Sequence, residues 1–235
     1  MLYWLLQSLE AHPALAFGEA PECLLAPEEE EELRRFTMQA RRRDWLLGRW
    51  TAKRLLQQVA QQHCGFPVPL HDIVVRSAEN GAPCTDFREP LTGRQFSLSI
   101  SHSQGYALCA VVEGQKAFLG ADLEEVVSQP EGFVERFFNH EERELIDDRI
   151  DRLRDVQVTA IWGAKEAAYK AVRSSVRFEP LAISCLVQPV AAEPQDWIPF
   201  PIVCHAEILP DRALPTLTGW WQALGVFVLT VATAS

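Results

Sequence analysis

The stretch Asp155–Arg173 carries the longest helical pattern in this chain and does most to limit how the chain can fold. A helix of that length needs a surface on which to bury its apolar side. The sequence around it is strand-like: Ala117–Leu123 precedes it, and the chain from Ala182 is rich in strand-forming residues, with a hairpin expected through Trp220–Trp221 and Val226–Val231. A second helical pattern lies earlier, in Trp45–Leu56, where Gly48 is expected to let another backbone approach and the breakers Gly65, Pro67 and Pro69 end the helix. Strands are expected at Ile73–Arg76, Phe96–Ile100 and Tyr106–Val112, with a turn at Glu79–Pro83. Further helices are expected to start at Glu28–Glu32, near Glu131–Phe138 after Pro130, and at Glu141–Ile150. The character of the chain changes at Glu113-Gly114-Gln115-Lys116, so the reading is an α+β protein in two halves, 1–113 and 114–235.

Composition narrows the classes of function. The 235 residues are 48% hydrophobic and 23% charged, close to the averages of folded soluble proteins and enough for a sizeable core. A net charge of −10 argues against a nucleic-acid binder, which relies on Lys and Arg to neutralise phosphates. An acidic protein can still bind an anion through a local basic site. Here the positive charge clusters at Arg34–Arg35, Arg41–Arg43, and Arg49 with Lys53–Arg54. The six cysteines lack zinc-ligand spacing. No basic-then-apolar leader opens the sequence and no apolar run reaches the length of a membrane span, so a cytoplasmic protein with reduced thiols is expected.

Three groups of residues carry chemistry. In Gly120-Ala121-Asp122-Leu123-Glu124 the two carboxylates stand two apart on a strand and share a face. Two such charges raise each other's pKa unless a cation lies between them, and Mg²⁺ is the ion that combines one or two carboxylates with a substrate phosphate. The alternative is a strand end running into solvent. In Trp162-Gly163-Ala164-Lys165-Glu166-Ala167-Ala168-Tyr169-Lys170, residues Trp162, Glu166 and Lys170 line one helix face with Lys165 beside it. Glu166 can complete a metal set or act as a base; the alternative is an ordinary surface Glu–Lys pair. Ser101-His102-Ser103 closes a strand and opens a loop, a grouping of hydroxyls, imidazole and backbone N–H groups suited to phosphate. The alternative there is a structural histidine. A Ser–His–Asp hydrolase is disfavoured, because an adjacent Ser and His make a poor nucleophile–base pair and no G-x-S-x-G elbow is present.

In their order and spacing these stations resemble the phosphopantetheinyl transferases of the larger, pseudodimeric, surfactin-synthetase-activating type. The resemblance runs through Gly48-Arg49 with Lys53, Gly81-Ala82-Pro83, Phe96 to Ser103, Gly120 to Glu124, Arg136-Phe137-Phe138 with Glu142, and Trp162-x-x-Lys165-Glu166-x-x-x-Lys170. It implies two similar α/β subdomains, each a small, mostly antiparallel sheet packed with a long helix, with coenzyme A in a cleft between them. It further implies transfer of the 4′-phosphopantetheine arm of coenzyme A to a serine of an apo acyl or peptidyl carrier protein. The N-terminal half would contact the nucleotide and the C-terminal half would hold the metal carboxylates and the catalytic helix.

Residue by residue, the resemblance assigns Asp122, Glu124 and Glu166 to Mg²⁺, with Mn²⁺ as the alternative ion. It also makes Glu166 the base for the serine hydroxyl, directly or through water, leaving open whether Glu166 is base, metal ligand or both, with Lys170 and Asp122 completing the catalytic group. Arg49, Lys53, Gly81, Pro83, Ser101, His102, Lys165 and Lys170 are the expected coenzyme A contacts. Glu142 matches an acidic family position near the site. The family often has Lys where this chain has Ala82, so one cation is missing, and Arg76 or Arg88 is available to replace it. The net charge of −10 would repel an acidic carrier overall, so docking would use a local basic or apolar patch. Phe133, Phe137 and Phe138 are candidates for that patch, or else belong to the core. A monomer is expected, binding neither nucleic acid nor membrane. The competing readings are a metal-dependent phosphodiester or pyrophosphate hydrolase using the same carboxylates, and a non-catalytic carrier-binding relative.

Overall fold

The structure is a computed structural model that describes residues 1–88, 93, 95–114, 118–146, 151–172, 178–205 and 216–234, without the side chains of 63 and 64. The chain divides into two compact units, Met1–Ala117 and Phe118–Ser235, where the sequence placed the change at 113/114. Residues 115–117 of that junction, the C-terminal end of the helix expected at 141–150, and Arg173 lie outside the described residues.

In the first unit, β1 (Leu2–Ser8) is followed by the short α1 (Pro13–Ala16), then α2 (Pro27–Arg34) and α3 (Gln39–Cys64). Pro27 opens α2 and Glu28–Glu30 fill its first turn, where the helix dipole favours negative charge. The first residue before it, Ala26, has no side chain to cap with, and the Glu29 carboxylate does that work, accepting the Ala26 N–H at 2.8 Å. At 26 residues α3 is longer than the later helix over 152–172, which corrects the expectation that the longest helix is the later one. Its first turns, Gln39–Asp44, stand largely in solvent and show no apolar phase, although Gln, Ala and Arg are good helix formers. Gly65, at φ 78°, ends it in the left-handed conformation.

The unit continues with β2 (Ile73–Ser77), β3 (Pro83–Phe87), β4 (Phe96–Ser103) and β5 (Tyr106–Glu113). The strand β3 had no counterpart in the sequence reading, because four of its five residues stay at least partly exposed and only Phe87 is buried. β2 and β3 form an antiparallel hairpin, and β1, β5 and β4 form an antiparallel sheet in that order. The Thr85 hydroxyl donates to the Phe96 carbonyl at 3.4 Å, linking β3 to β4. Ala52, Leu55, Leu56 and Val59 of α3 pack on Ile73, Val75, Leu98 and Val111 to make the core.

In the second unit β6 (Leu119–Glu125) leads into α4 (Phe133–Phe137), α5 (His140–Leu145) and α6 (Arg152–Val172). The strands β7 (Ile183–Cys185), β8 (Ile198–Cys204), β9 (Leu217–Leu224) and β10 (Phe227–Ala234) follow. All pairings are antiparallel, in the order β6-β10-β9-β8-β7. α5 has a reciprocal cap: the Glu142 N–H donates to Asn139 Oδ1 at 3.1 Å, and the Asn139 N–H donates to Glu142 Oε2 at 2.9 Å. Ile161, Ala164, Ala168 and Val172 of α6 pack on Ile183, Cys185, Trp221 and Val228.

Each unit thus runs strand, two short helices, long helix, two strands, hairpin. The strand neighbours of the first unit, β1-β5-β4 and then β3-β2, repeat the order β6-β10-β9-β8-β7 of the second. Mixed helix and antiparallel sheet in two similar parts is the architecture the sequence predicted. Among the described residues no helix is long and apolar enough to cross a membrane.

Candidate functional site

Gly120, Asp122 and Glu124 alternate onto the face of β6 that meets α6. Gly120 is what lets the strand lie there: a Cβ at that position would fall 1.8 Å from the Ala167 carbonyl oxygen and 2.7 Å from the Ala171 nitrogen. Any other residue would hold β6 away from the helix. Gly163, one turn earlier on α6, leaves similar room for Asp122, whose Oδ2 would be 3.3 Å from a Cβ there. With strand and helix this close, ligand oxygens of Asp122, Glu124 and Glu166 all lie within 4.8 Å of one another. Asp122 is buried and the other two are half-buried.

Lys170, one turn beyond Glu166, donates to Asp122 Oδ1 at 2.6 Å and to the Ala121 carbonyl at 3.2 Å, and lies 4.0 Å from Glu166. Among the described residues, one ammonium thus faces three carboxylates. Burial, followed by the charges of Asp122 and Glu166, pushes the Glu124 carboxyl up to about 7. Lys170 and a hydrogen bond from Trp162 oppose that shift. Glu166 is also raised, by burial first and then by Asp122, with Lys170 opposing. An all-oxygen donor set of this charge fits a hard divalent ion such as Mg²⁺. Trp162 in turn stands edge-to-face with Phe133 and Phe137, both at 5.3 Å between ring centroids. Of the three phenylalanines read as a docking patch or core, Phe138 is buried and Phe133 and Phe137 are half-buried.

In the first unit His102 is exposed near the end of β4, and Ser101 beside it is buried. Both pair with β5, and the loop begins only at Gln104, with φ 47° there and 74° at Gly105. The space left by Gly48 is filled by the imidazole of His102, not by a backbone: a Cβ at Gly48 would be 2.6 Å from Nε2. Arg49 is buried against the Trp45 ring, 4.5 Å from its centroid, with Glu29 at 4.0 Å and Glu32 at 3.8 Å. Its Nε and Nη2 make no hydrogen bond among the described residues. Gly81, at φ 77°, turns the chain from β2 to β3, where Pro83 begins the second strand. Arg76 and Arg88, the cations available to replace a lysine at Ala82, both reach Glu28 at 3.3 Å.

Two of the expected coenzyme A contacts point into the protein. Lys53 is 0% exposed, pairs with Glu29 and donates to the Leu24 carbonyl at 2.7 Å. Lys165 is 0% exposed, lies 2.7 Å from Glu142 and donates to the carbonyls of Pro180 and Ile183 at 2.7 and 2.5 Å. Their burial has a simple cause. Both lysines sit among the inward-facing positions of their helices, and an ammonium there must find its partners inside. Glu142, the acidic residue of uncertain role, is the partner of Lys165; Glu29, the partner of Lys53, was not singled out. The box Asn139-x-x-Glu142 carried a sequence signal for Glu142, whereas Ala26, with no capping side chain, left Glu29 without one.

A model of the 4′-phosphopantetheinyl transferase superfamily matches residues 118–216, and a model of the 4′-phosphopantetheinyl transferase N-terminal domain matches residues 29–112. A holo-[acyl-carrier-protein] synthase of Staphylococcus epidermidis is 31% identical over 91 residues, 39% of this chain and 74% of that protein. The 4′-phosphopantetheinyl transferase Npt of Nocardia iowensis is 28% identical over 229 residues, 90% of either chain. The crystal structure of a Bacillus anthracis holo-(acyl-carrier-protein) synthase in complex with CoA (3′,5′-ADP) aligns with a TM-score of 0.38 at 24% identity. It covers 48% of this chain and 93% of that one.

Proposed function

The chain belongs to the 4′-phosphopantetheinyl transferase superfamily, and from that premise we propose that it transfers the 4′-phosphopantetheine arm of coenzyme A to a serine of an apo carrier protein. The serine oxygen forms a bond to the β-phosphorus, the bond from that phosphorus to the bridging oxygen breaks, and 3′,5′-ADP leaves. The observation that carries this reading is the meeting of Asp122, Glu124 and Glu166 within 4.8 Å beside Lys170.

Asp122, Glu124 and Glu166 would hold Mg²⁺, which when bound supplies charge neutralisation to the pyrophosphate and the departing 3′,5′-ADP. Glu166 accepts the proton of the serine hydroxyl. Lys170 fixes Asp122 and is assigned to a phosphate oxygen of coenzyme A. Trp162 steadies Glu124 through its indole N–H. His102, exposed and held over Gly48, is assigned to a phosphate of coenzyme A. The setting we infer is a cytoplasmic monomer, since one chain supplies both units.

The test is intact-mass spectrometry of a panel of apo carrier proteins incubated with this protein, coenzyme A and Mg²⁺. The expected result is a gain of one phosphopantetheine group that requires metal and is lost in Glu166→Ala. Absence of any gain across the panel, from a folded protein that binds coenzyme A, would overturn the reading. Size-exclusion chromatography with light scattering tests the monomer.

A further inference from the structure

We propose that Lys165 is a positioning residue that fixes the rotational phase of α6, and that neither Lys165 nor its counterpart Lys53 touches coenzyme A. An ammonium has three donors, and those of Lys165 are taken up by Glu142 Oε2, the Pro180 carbonyl and the Ile183 carbonyl. None is left for a phosphate. The Glu142 carboxylate accepts in addition the N–H of Asn139 at 2.9 Å and that of Cys185 at 2.7 Å. One buried point therefore ties the start of α5, the strand β7 and the middle of α6. Successive residues of a helix differ by about 100° in direction. With Lys165 held inward, Glu166 and, one turn on, Lys170 are turned toward β6.

The first unit supplies an independent comparison. Lys53 of α3 pairs with Glu29, which accepts the N–H of Ala26 at 2.8 Å and of Val75 at 3.0 Å. The geometry repeats part by part: the third residue of the short helix, a lysine in the long helix, and the third residue of the next strand. Yet the residue after Lys53 is Arg54, and the position matching Lys170 is Gln58. On β1, Leu5 and Gln7 hold the register places of Asp122 and Glu124: Leu5 faces Cys109 as Asp122 faces Thr230, in hairpin strands of equal length. The clamp is present where the carboxylate set is not, so it belongs to the scaffold and not to the ligand.

Two measurements decide the matter. The first is amine-reactive labelling of the wild-type protein, with and without coenzyme A and Mg²⁺, read by peptide mass spectrometry. Lys170 is expected to react and to be protected by coenzyme A, while Lys53 and Lys165 stay unmodified in both states. Labelling of Lys165 that coenzyme A suppresses would overturn the proposal. The second is the double variant Glu142→Leu/Lys165→Met, which removes both charges together and keeps the interior filled. Its kcat for transfer is expected to fall at least about tenfold, with KM for coenzyme A changed by less than about threefold. A KM raised tenfold, the loss expected from a missing charge-assisted contact to the ligand, would overturn the proposal, as would an unchanged kcat. Should the double variant not fold, the labelling result stands alone and decides whether Lys165 meets the ligand. The kinetic arm rests on the transfer reading and the labelling arm does not, so wild-type protein inactive on every carrier would remove that reading alone.

Discussion

Trp50-Thr51-Ala52-Lys53-Arg54 in α3 and Trp162-Gly163-Ala164-Lys165-Glu166 in α6 occupy matching stretches of two long helices. The agreement extends to burial: Leu55, Leu56, Val59 and Ala60 are buried in one helix, and Ala167, Ala168, Ala171 and Val172 in the other. What differs is the polar layer. The second unit places Asp122, Glu124, Glu166 and Lys170 where the first has Leu5, Gln7, Arg54 and Gln58. It also has Gly120 where the register of β1 puts Tyr3, so β6 comes within reach of the helix backbone. The comparison separates two kinds of buried or half-buried charge. The lysine–glutamate clamps are common to both units and hold the helices in place. Among the described residues the carboxylate cluster is found in one unit, and it depends on the close approach that Gly120 allows.

The sharpest break in the comparison is chemical. Glu166→Ala is expected to lower the transfer rate by about 10³-fold, within the usual range for a lost acid or base, whereas Arg54→Ala should stay within about threefold. Equal losses in a carrier-modification assay would mean that the first helix takes part in chemistry after all. Next in size are the clamps. Lys165→Met and Lys53→Met each leave a buried carboxylate unanswered, and each is expected to cost about 3–5 kcal/mol in denaturant unfolding. A small cost at one and a large cost at the other would show that the two are not the same device.

Gly120→Ala comes third. Its Cβ must push β6 from α6, at about 1–3 kcal/mol by unfolding, and should reduce Mg²⁺ affinity as the carboxylates separate. A variant of full stability and full metal affinity would refute the role given to close approach.

The smallest effect is one of pH. Glu124 titrates near 7 in the folded protein, above its ordinary value of 4.5. Between these values the folded state holds more proton than the unfolded state. Stability therefore falls as pH rises across that window in metal-free protein. Mg²⁺ should restore it most at the upper end, because an ion that binds only the folded state stabilises it. Melting curves with chelator and with Mg²⁺ read this directly, and Glu124→Gln should flatten the slope.

Much of this was legible in the sequence. The two-residue repeat of a strand placed Asp122 and Glu124 on one face, and the helical repeat placed Glu166 and Lys170 on another, because both periods are properties of the local backbone. The same local rules gave the α+β class and the hairpin of β9 and β10. The inward course of Lys53 and Lys165 was decided elsewhere. Glu29 meets Val75 across 46 residues and Cys185 meets Glu142 across 43, and no spacing rule reaches that far. The same holds for His102 over Gly48, for Gly120 against Ala167, and for β3, whose largely exposed residues carry no pattern until β2 pairs with them. Sequence alone determined which side chains share a face, since that depends on neighbours along the chain. Tertiary structure decided what each face meets, since that depends on which distant backbone the packing of the core brings beside it.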